Sequence, residues 1–111
     1  MEKIELEVFT EQSNHAVVRM NGREFPGIVI QGDSLSILCE EAKEISQRLK
    51  EINCTDEDLL YLAQEHQDNL LSRSLHYQNV LSTHGLSLPY QTAALPSDLI
   101  TLVAEDDDNA L

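Results

Sequence analysis

Few residues in this chain have the types and the spacing that metal binding requires. Its four histidines, His15, His66, His76 and His84, include no pair four residues apart, and no cysteine lies at the short spacing of a zinc knuckle. His66 and His84 fall on the apolar side of a predicted helix, where a histidine usually has a structural role. The chain also lacks a glycine-rich phosphate loop. We therefore expect neither a metal ion nor a cofactor.

Cys39 paired with a histidine is the one nucleophilic combination that the sequence offers. The adjacent Glu40 and Glu41 would disfavour the thiolate, which is the reactive form of a cysteine. The stretch Gly32-Asp33-Ser34-Leu35 resembles the short signature of a group of lipases and esterases whose serine is the nucleophile. Such enzymes need a much longer α/β chain to bring an aspartate and a histidine to the serine, so a helix-capping role for Ser34 is favoured. We expect no catalysis by this chain.

Acidic side chains dominate the composition and give the strongest indication of function. The 111 residues include 20 Asp and Glu but only 7 Lys and Arg, a formal net charge of -13. Charge of this size acts on solubility, association rate and choice of partner rather than on the fold. Nucleic acid and the anionic membrane surface are thereby disfavoured as partners, whereas a basic protein surface is favoured.

The negative charge is concentrated in the second half of the chain. Residues 1–50 hold nine acids and six bases, a net charge of -3, whereas residues 51–111 hold eleven acids and one base, Arg73, a net charge of -10. Helix capping accounts for some of these acids, but ordinary surface helices carry both signs of charge. We predict that acids on two successive helices bind a basic partner: Glu40, Glu44, Glu51, Asp56, Glu57, Asp58, Glu65 and Asp68.

The first third of the chain has the patterns of β-strands. Apolar and charged residues alternate over residues 3–8, which is the period of a strand with one buried face. Residues 16–20 form a second run, rich in β-branched side chains, and residues 28–30 form a third. Asn21-Gly22, after the second run, predicts a tight hairpin turn in which both residues have a positive φ. These patterns predict a three-stranded antiparallel meander.

Two amphipathic helices are predicted to follow the strands. Asn53-Cys54 ends the first helix, whose apolar residues recur at spacings of three and four: Leu35, Leu38, Ala42, Ile45, Leu49 and Ile52. The stretch from Thr55 to Asp58 matches a capping box, so a second helix is expected to begin there and to continue to Gly85. The predicted fold is an α+β domain in which a three-stranded antiparallel β-meander packs against an antiparallel two-helix hairpin.

The C-terminal part of the chain has a weaker pattern. We assign residues 1–90 to a single α+β domain and residues 91–111 to a C-terminal extension. Residues 97–104 fit either a short helix or a strand, because a short apolar run does not distinguish the two. Residues 105–108 are all acidic and predict an extended, solvated tail.

Several short motifs resemble those of a small uncharacterised family of bacterial proteins. They are the NHAVVR run from Asn14 to Arg19, the Phe25-Pro26-Gly27 step, the QGDSL run from Gln31 to Leu35, and His84-Gly85 followed by Leu88-Pro89-Tyr90. The resemblance covers about residues 3–90 and leaves the acidic tail outside. It implies a soluble bacterial protein. It implies no functional residue, because the family has no assigned activity.

Cysteine usage and hydropathy indicate a cytoplasmic protein. Cys39 and Cys54 are fifteen residues apart, about 20 Å along a helix, so we do not expect them to form a disulfide bond. Unpaired thiols are typical of a reducing compartment. The N-terminus lacks the basic and apolar regions of a secretory signal, and no window approaches the roughly 20 apolar residues of a membrane span.

These features favour a non-catalytic acidic binding protein. We expect an immunity or antitoxin-type inhibitor that neutralises a basic toxin domain, such as a nuclease, because complementary charge speeds encounter and excludes wrong partners. The alternative is a small dimeric interaction or regulatory module that pairs through the long second helix. The lack of any convergent set of catalytic groups disfavours an enzyme.

Overall fold

The computed structural model describes residues 1–10 and 15–104 of the chain. In chain order it has three short strands, β1 (Glu7–Thr10), β2 (Val17–Arg19) and β3 (Gly27–Ile28), and two long helices, α1 (Gly32–Glu51) and α2 (Glu57–Thr83). A one-turn 3₁₀ helix, Pro96–Asp98, follows. The prediction of an α+β fold with a three-stranded antiparallel sheet and a helical hairpin is confirmed. The predicted acidic tail lies outside the described residues.

The sheet is a small meander with the strand order β1-β2-β3, and both neighbouring pairs are antiparallel. Val18 at the centre of β2 pairs with Val8 on one side and with Gly27 on the other. A bulge at Phe9 interrupts the register of β1. Val8, Phe9 and Ile28 are 54%, 53% and 55% exposed. Strands this short and this open do not enclose a core by themselves.

The turn after β2 differs from the predicted hairpin turn. The Arg23 N–H donates a hydrogen bond to the Met20 carbonyl at 3.1 Å, and Gly22 has a φ of 78°. Asn21 does not have a positive φ, and its Nδ2 donates to the Glu5 carbonyl at 3.2 Å. A single left-handed residue at the third turn position is typical of a type II turn. The prediction of two positive-φ residues was therefore wrong.

The buried residues of the α1–α2 interface are mostly small or polar. Gly32 lies so close to the ring of Tyr77 that a Cβ at this position would overlap the ring. Ser46, near the other end of α1, accepts a hydrogen bond from Gln67 of α2, so the two helices run antiparallel. The buried residues of the hairpin are Gly32, Cys39, Ala42 and Ser46 on α1, and Gln67, Leu71 and Ser74 on α2.

The apolar seam predicted for α1 is displaced by about one residue. Leu38, Ile45 and Ile52 are 40%, 52% and 71% exposed, so this half of the predicted seam was wrong. The buried side instead contains Cys39 and Ser46. These small side chains recur at the same heptad spacing and let the helix axes approach closely, which branched side chains prevent. Residue size, rather than hydropathy, therefore determines which side of α1 is buried.

Left-handed residues end both helices. Asn53 has a φ of 52° after α1, and Gly85 has a φ of 67° after α2. The Cys54 N–H then donates to the Leu49 carbonyl at 3.0 Å, and Leu86 makes the same bond across six residues after α2. This is the Schellman pattern, which satisfies carbonyls that a helix end leaves open. Both predicted helix ends are confirmed.

Within the described residues, no helix has the length and the hydropathy to span a membrane.

Residues 94–103, which we call the strap, form neither of the elements considered for residues 97–104. The strap is extended on both sides of its 3₁₀ turn, with Leu95 at φ -123° and ψ 149° and Leu99 at φ -60° and ψ 122°. It pairs with no strand of the described sheet, whose strands end at Ile28. Its main chain instead forms hydrogen bonds with side chains of α2. These bonds determine the conformation of the strap, and the local sequence pattern does not reveal them.

Candidate functional site

The acids of α2 surround an exposed tyrosine. Glu57 and Glu65 lie four residues before and after Tyr61, Asp58 lies three residues before it, and Asp68 lies two turns after it. Residues three, four or seven apart share one side of a helix, so the four carboxylates flank the tyrosine ring. All four acids are exposed, and Tyr61 is 58% exposed. We call these five residues the α2 acidic face.

The charge of the α2 acidic face is uncompensated within the part of the chain that the structure describes. The three ion pairs found there join Arg19 to Glu7, Lys43 to Asp98 and Arg48 to Glu44, and none of them involves an acid of this face. Arg73, the single base of α2, donates to the carbonyl of Asn69 in its own helix. The face is therefore a concentrated negative surface with an aromatic side chain at its centre.

The three predicted acids of α1 lie on a separate surface. Glu40, Glu44 and Glu51 are exposed and share one side of α1, at spacings of four and seven. At about 100° per residue this side is roughly 130° around the helix from the buried Cys39 and Ser46, so Glu44 and Glu51 face away from α2, whereas Glu40 also borders a small cavity with Gln67 and Leu71. Glu44 also lies 3.4 Å from Arg48, both largely exposed. The structure thus divides the predicted acids into two groups.

Asp56 begins α2. Its Oδ1 accepts the Leu59 N–H at 3.1 Å, which is the bond of a helix N-cap. The predicted capping box placed the cap at Thr55, so the observed cap is one residue later than predicted. Glu57 and Asp58 follow in the first turn, where negative charge is favourable to the helix dipole. Part of the acidic signal at residues 56–58 is therefore structural.

Two glutamines of α2 hold the strap by pairing with its main chain. The Oε1 of Gln78 accepts the Ala94 N–H at 2.7 Å, and its Nε2 donates to the Ala94 carbonyl at 2.9 Å. The Oε1 of Gln67 accepts the Ile100 N–H at 2.7 Å, and its Nε2 donates to the Ile100 carbonyl at 2.9 Å. Each side-chain amide thus offers one donor and one acceptor to one residue, as a neighbouring β-strand does.

Further contacts fix the strap to both helices. The Oε1 of Gln64 accepts the Leu102 N–H at 2.6 Å. On the α1 side, Lys43 Nζ lies 3.8 Å from Asp98 Oδ1, and the other oxygen of Asp98 accepts the Leu95 N–H at 2.8 Å. The strap consequently covers the groove between α1 and α2.

Tyr90 lies where the strap begins. Its hydroxyl donates to Gln78 Oε1 at 3.0 Å, so this amide oxygen accepts from both Tyr90 and Ala94. Burial raises the pKa of Tyr90 above its usual value of 10.0, and the nearby Tyr77 and Cys39 add to the increase. The phenol is therefore held in its neutral, hydrogen-bond-donating form.

The histidines and cysteines do not assemble into a reactive centre in the described part of the chain. His66 and His84 are exposed, so neither is a buried structural histidine of the helix interface. No group of three or more His, Cys, Asp or Glu side chains that could hold a metal ion occurs among residues 1–10 and 15–104. Cys39 is buried and Cys54 is half-buried, and both thiols are free.

Ser34 lines a shallow groove between the sheet and α1. His15 lines the same groove, and the other lining residues are aliphatic: Ile28, Ile30, Ile37 and Leu38. A serine triad requires an acid that orients the histidine, and no acid lines this groove. Among the described hydrogen bonds none joins Ser34 to His15; the Ser34 N–H donates to Asp33 Oδ1 at 2.9 Å.

Sequence reasoning missed the tyrosine of the acidic face and the glutamines of the groove. Tyr61 carried a usable signal, because every acid of α2 lies three, four or seven residues from it. The glutamines also gave a signal, because they are polar residues at the helical positions that form the buried side of α2. That side reads Gln64, Gln67, Leu71, Ser74 and Gln78, at spacings of three and four. A polar residue in this phase indicates that a hydrogen-bonding partner covers the helix.

Comparison with known proteins identifies a family. A family model described as a family of unknown function, DUF6959, matches residues 1–90. No curated protein and no solved structure matches the chain. The matched residues include the sheet, both helices and all eight predicted acids, and they end before the strap. The resemblance to an uncharacterised family is thereby confirmed: the chain belongs to the family of unknown function DUF6959.

Proposed function

We propose that this protein is a non-catalytic acidic binding protein that captures a basic protein partner through the α2 acidic face. The supporting observation is the group of four carboxylates around the exposed Tyr61, none of which forms an ion pair with another described residue. Large aromatic side chains are enriched at the centres of protein interfaces, where they supply contact area at low entropic cost. Carboxylates at the rim orient a basic partner and exclude an acidic one.

The partner class that fits this surface is a toxin domain with a basic active surface, for example a nuclease. A cleft that binds a polyanion is itself positively charged, and an acidic domain occupies such a cleft favourably. The protein then acts as an immunity or antitoxin-type inhibitor in the bacterial cytoplasm, where its two free cysteines stay reduced. The net charge of -13 speeds the capture of such a partner before it acts.

The experiment compares two charge-reversed variants. Changing Glu57, Glu65 and Asp68 to Lys alters the net charge from -13 to -7, because three charges of -1 become +1. The control changes three exposed acids outside both helices, Glu2, Glu5 and Glu24, to Lys and has the same net charge. Affinity purification of the tagged protein from its host supplies the partner, and stopped-flow mixing measures the association rate constant at several salt concentrations.

We expect the α2 variant to associate at least tenfold more slowly than the control at low salt. The difference should shrink as salt is added, because the Debye length falls from about 30 Å at 0.01 M to about 8 Å at 0.15 M. Tyr61→Ala should increase the dissociation rate instead, since it removes contact area and no charge. Equal association rates for the two charge-reversed variants would show that overall charge, and not this face, attracts the partner.

A dimeric module that pairs through α2 is the second candidate, and one flank of α2 favours it. Leu59, Leu62 and Val80 are 42%, 62% and 40% exposed, and His66 and Arg73 share their side of the helix. Glu57 and Asp68 lie on the opposite side of α2 by helical phase, whereas Asp58 and Glu65 lie four residues before and three residues after Leu62 and so border this flank. Sedimentation equilibrium distinguishes the candidates: a dimer whose mass falls in Leu62→Lys supports the module, and a monomer at all concentrations contradicts it.

A further inference from the structure

The strap is attached to the helical hairpin rather than built into it. It follows the last residue matched by the family model, and its contacts with the helices run through side chains of the hairpin. The one ion pair that it forms with the described part of the chain, between Lys43 and Asp98, is 3.8 Å long and joins side chains that are 33% and 31% exposed. No residue of the strap is fully buried: Leu95 is 54% exposed, and Leu99, Ile100, Leu102 and Val103 are half-buried. Segments with few buried apolar contacts open locally at a lower free energy than the whole domain.

The groove beneath the strap requires a polypeptide main chain as its occupant. Gln67 is only 2% exposed, and two of the three hydrogen bonds of its amide go to the main chain of Ile100. Ser74 on the same side of α2 is also 2% exposed, and among the described residues its hydroxyl has no hydrogen-bond partner even with the strap in place. An apolar ligand would leave the Gln67 amide unsatisfied, at a cost greater than that of a lost hydrogen bond. An extended peptide satisfies the amide completely.

The spacing of the amides matches a largely extended chain that contains one turn. Gln67 and Gln78 are eleven residues apart on α2, about 16 Å at 1.5 Å per residue. Their strap partners, Ala94 and Ile100, are six residues apart, which spans about 20 Å when fully extended. The 3₁₀ turn at Pro96–Asp98 takes up the difference. Because both amides bind main-chain atoms, the recognition tolerates different side chains.

We propose that the groove formed by Gln64, Gln67 and Gln78 is a binding site for an extended polypeptide segment, and that the strap is its displaceable resident occupant. The ligand is a partner segment that presents one main-chain N–H and C=O pair to Gln78 and a second, six residues later, to Gln67. Opening of the strap makes the site available. This site adjoins the α2 acidic face, because Leu102 and Val103 of the strap line a pocket together with Glu57, Asp58 and Tyr61, but its test uses no basic partner.

The first experiment measures opening of the strap through Cys39. This buried thiol borders a small cavity that Ala94 and Asp98 of the strap also line, so opening exposes it to a thiol reagent. A Cys54→Ser background leaves Cys39 as the single reactive thiol. Labelling is followed with a chromogenic disulfide reagent, and urea titration gives the global free energy of unfolding for each variant.

Two proline variants of the strap provide the matched comparison. Ile100→Pro removes the N–H that Gln67 accepts, and Leu99 already has dihedral angles that a following proline allows. Thr101→Pro is the control, because no group in the described residues accepts the Thr101 N–H. We expect Ile100→Pro to accelerate Cys39 labelling about tenfold over Thr101→Pro. Asp98→Asn, which weakens the pair with Lys43, should accelerate it by a smaller factor.

The second experiment adds a fluorescent peptide with the sequence of residues 90–104 to the full chain and measures anisotropy. The apparent affinity depends on the fraction of molecules with an open strap, so the Ile100→Pro protein should bind the peptide about tenfold more tightly than wild type. Gln78→Leu in the Ile100→Pro background should abolish binding, because it removes an amide that pairs with the peptide.

Three results would overturn the proposal. The first is Cys39 labelling that follows only the global free energy of unfolding, which would make the strap an integral part of the fold. The second is an Ile100→Pro protein that does not fold, which would also make the strap an integral part of the fold. The third is a folded Ile100→Pro protein that exposes Cys39 but binds no peptide, which would make the strap a cover and the groove no binding site.

Discussion

Replacing Gln67 by leucine tests whether the hydrogen bonds of the groove stabilise this fold. The Gln67 side chain is 2% exposed and makes hydrogen bonds of 2.7 Å and 2.9 Å to Ile100 and of 3.1 Å to Ser46 Oγ. Leucine has a similar volume but neither a donor nor an acceptor. Gln67→Leu therefore removes the hydrogen bonds without creating a large cavity.

The expected loss of stability follows from two opposing effects. Three hydrogen bonds at about 1 kcal/mol each contribute about 3 kcal/mol, and their partners stay partly buried when the amide is removed. The additional apolar carbons of leucine recover about 1 kcal/mol through burial. The net destabilisation is about 2 kcal/mol. With a urea m-value of about 2 kcal/mol/M, the unfolding midpoint should fall by about 1 M.

Circular dichroism at 222 nm during urea titration measures this shift. Gln47→Leu is the control, because it makes the same chemical change at an exposed position of α1 and should alter the free energy of unfolding by no more than about 0.5 kcal/mol. A double-mutant cycle with Ser46→Ala isolates the bond between the helices from those to the strap. Equal midpoints for the leucine variants at 67 and 47 would refute the reasoning, because the buried amide would then contribute nothing.

Three further predictions follow from the described contacts. Gly32→Ala should lower the free energy of unfolding by about 1–3 kcal/mol in urea titration, because the added Cβ overlaps a ring of α2, whereas Gly27→Ala, with open space around it, should change little. The raised pKa of Tyr90 stabilises the fold fully below pH 10.0 and progressively less as the pH rises through the folded-state pKa, so Tyr90→Phe should lose stability less steeply between pH 9 and pH 12. Screens against ester, phosphoester and peptide substrates should detect no turnover, and turnover that Ser34→Ala or Cys39→Ala abolishes would contradict this expectation.

The helix boundaries were predictable because local chemistry determines them. Asn53 and Gly85 adopt left-handed conformations for which Asn and Gly are suited, so the sequence alone marked both helix ends. The fold class followed from the period of the strands and the length of the helices. The turn at Asn21-Gly22 was less predictable, because tertiary hydrogen bonding from Asn21 to Glu5 favours another turn type.

The packing phase of α1 could not be read from hydropathy. Leu38 and Ile45 are more apolar than Cys39 and Ser46, yet the smaller residues are buried. Hydropathy gives the cost of exposure, whereas the interface depends on how closely two backbones approach. The contact between Gly32 and the Tyr77 ring shows how close that approach is. When small residues at heptad spacing lie beside an apolar stripe, either side of the helix is a candidate for the buried face. Long-range contacts, which the local sequence does not show, determine which side is buried.

The candidate site was only partly predictable for a related reason. The acids of α2 lie on the helix surface, so their position follows from the helical period, and the sequence located them. The groove depends on hydrogen bonds between residues that are 16 to 39 positions apart in the chain. No local pattern encodes such bonds, although glutamines in the phase of buried residues indicate that they exist.

The two surfaces proposed for binding differ in how they relate to stability. On the α2 acidic face, Glu65 and Asp68 lie beyond the first turn and form no ion pair in the described residues, so folding does not explain their charge. The groove is different, because the hydrogen-bonding groups of its side-chain amides are satisfied only when a polypeptide segment occupies it. With the strap in the groove, these amides are satisfied and the fold is stable in the absence of a ligand. Substitutions of Glu65 and Asp68 should therefore change binding at constant stability, whereas substitutions in the groove change both together.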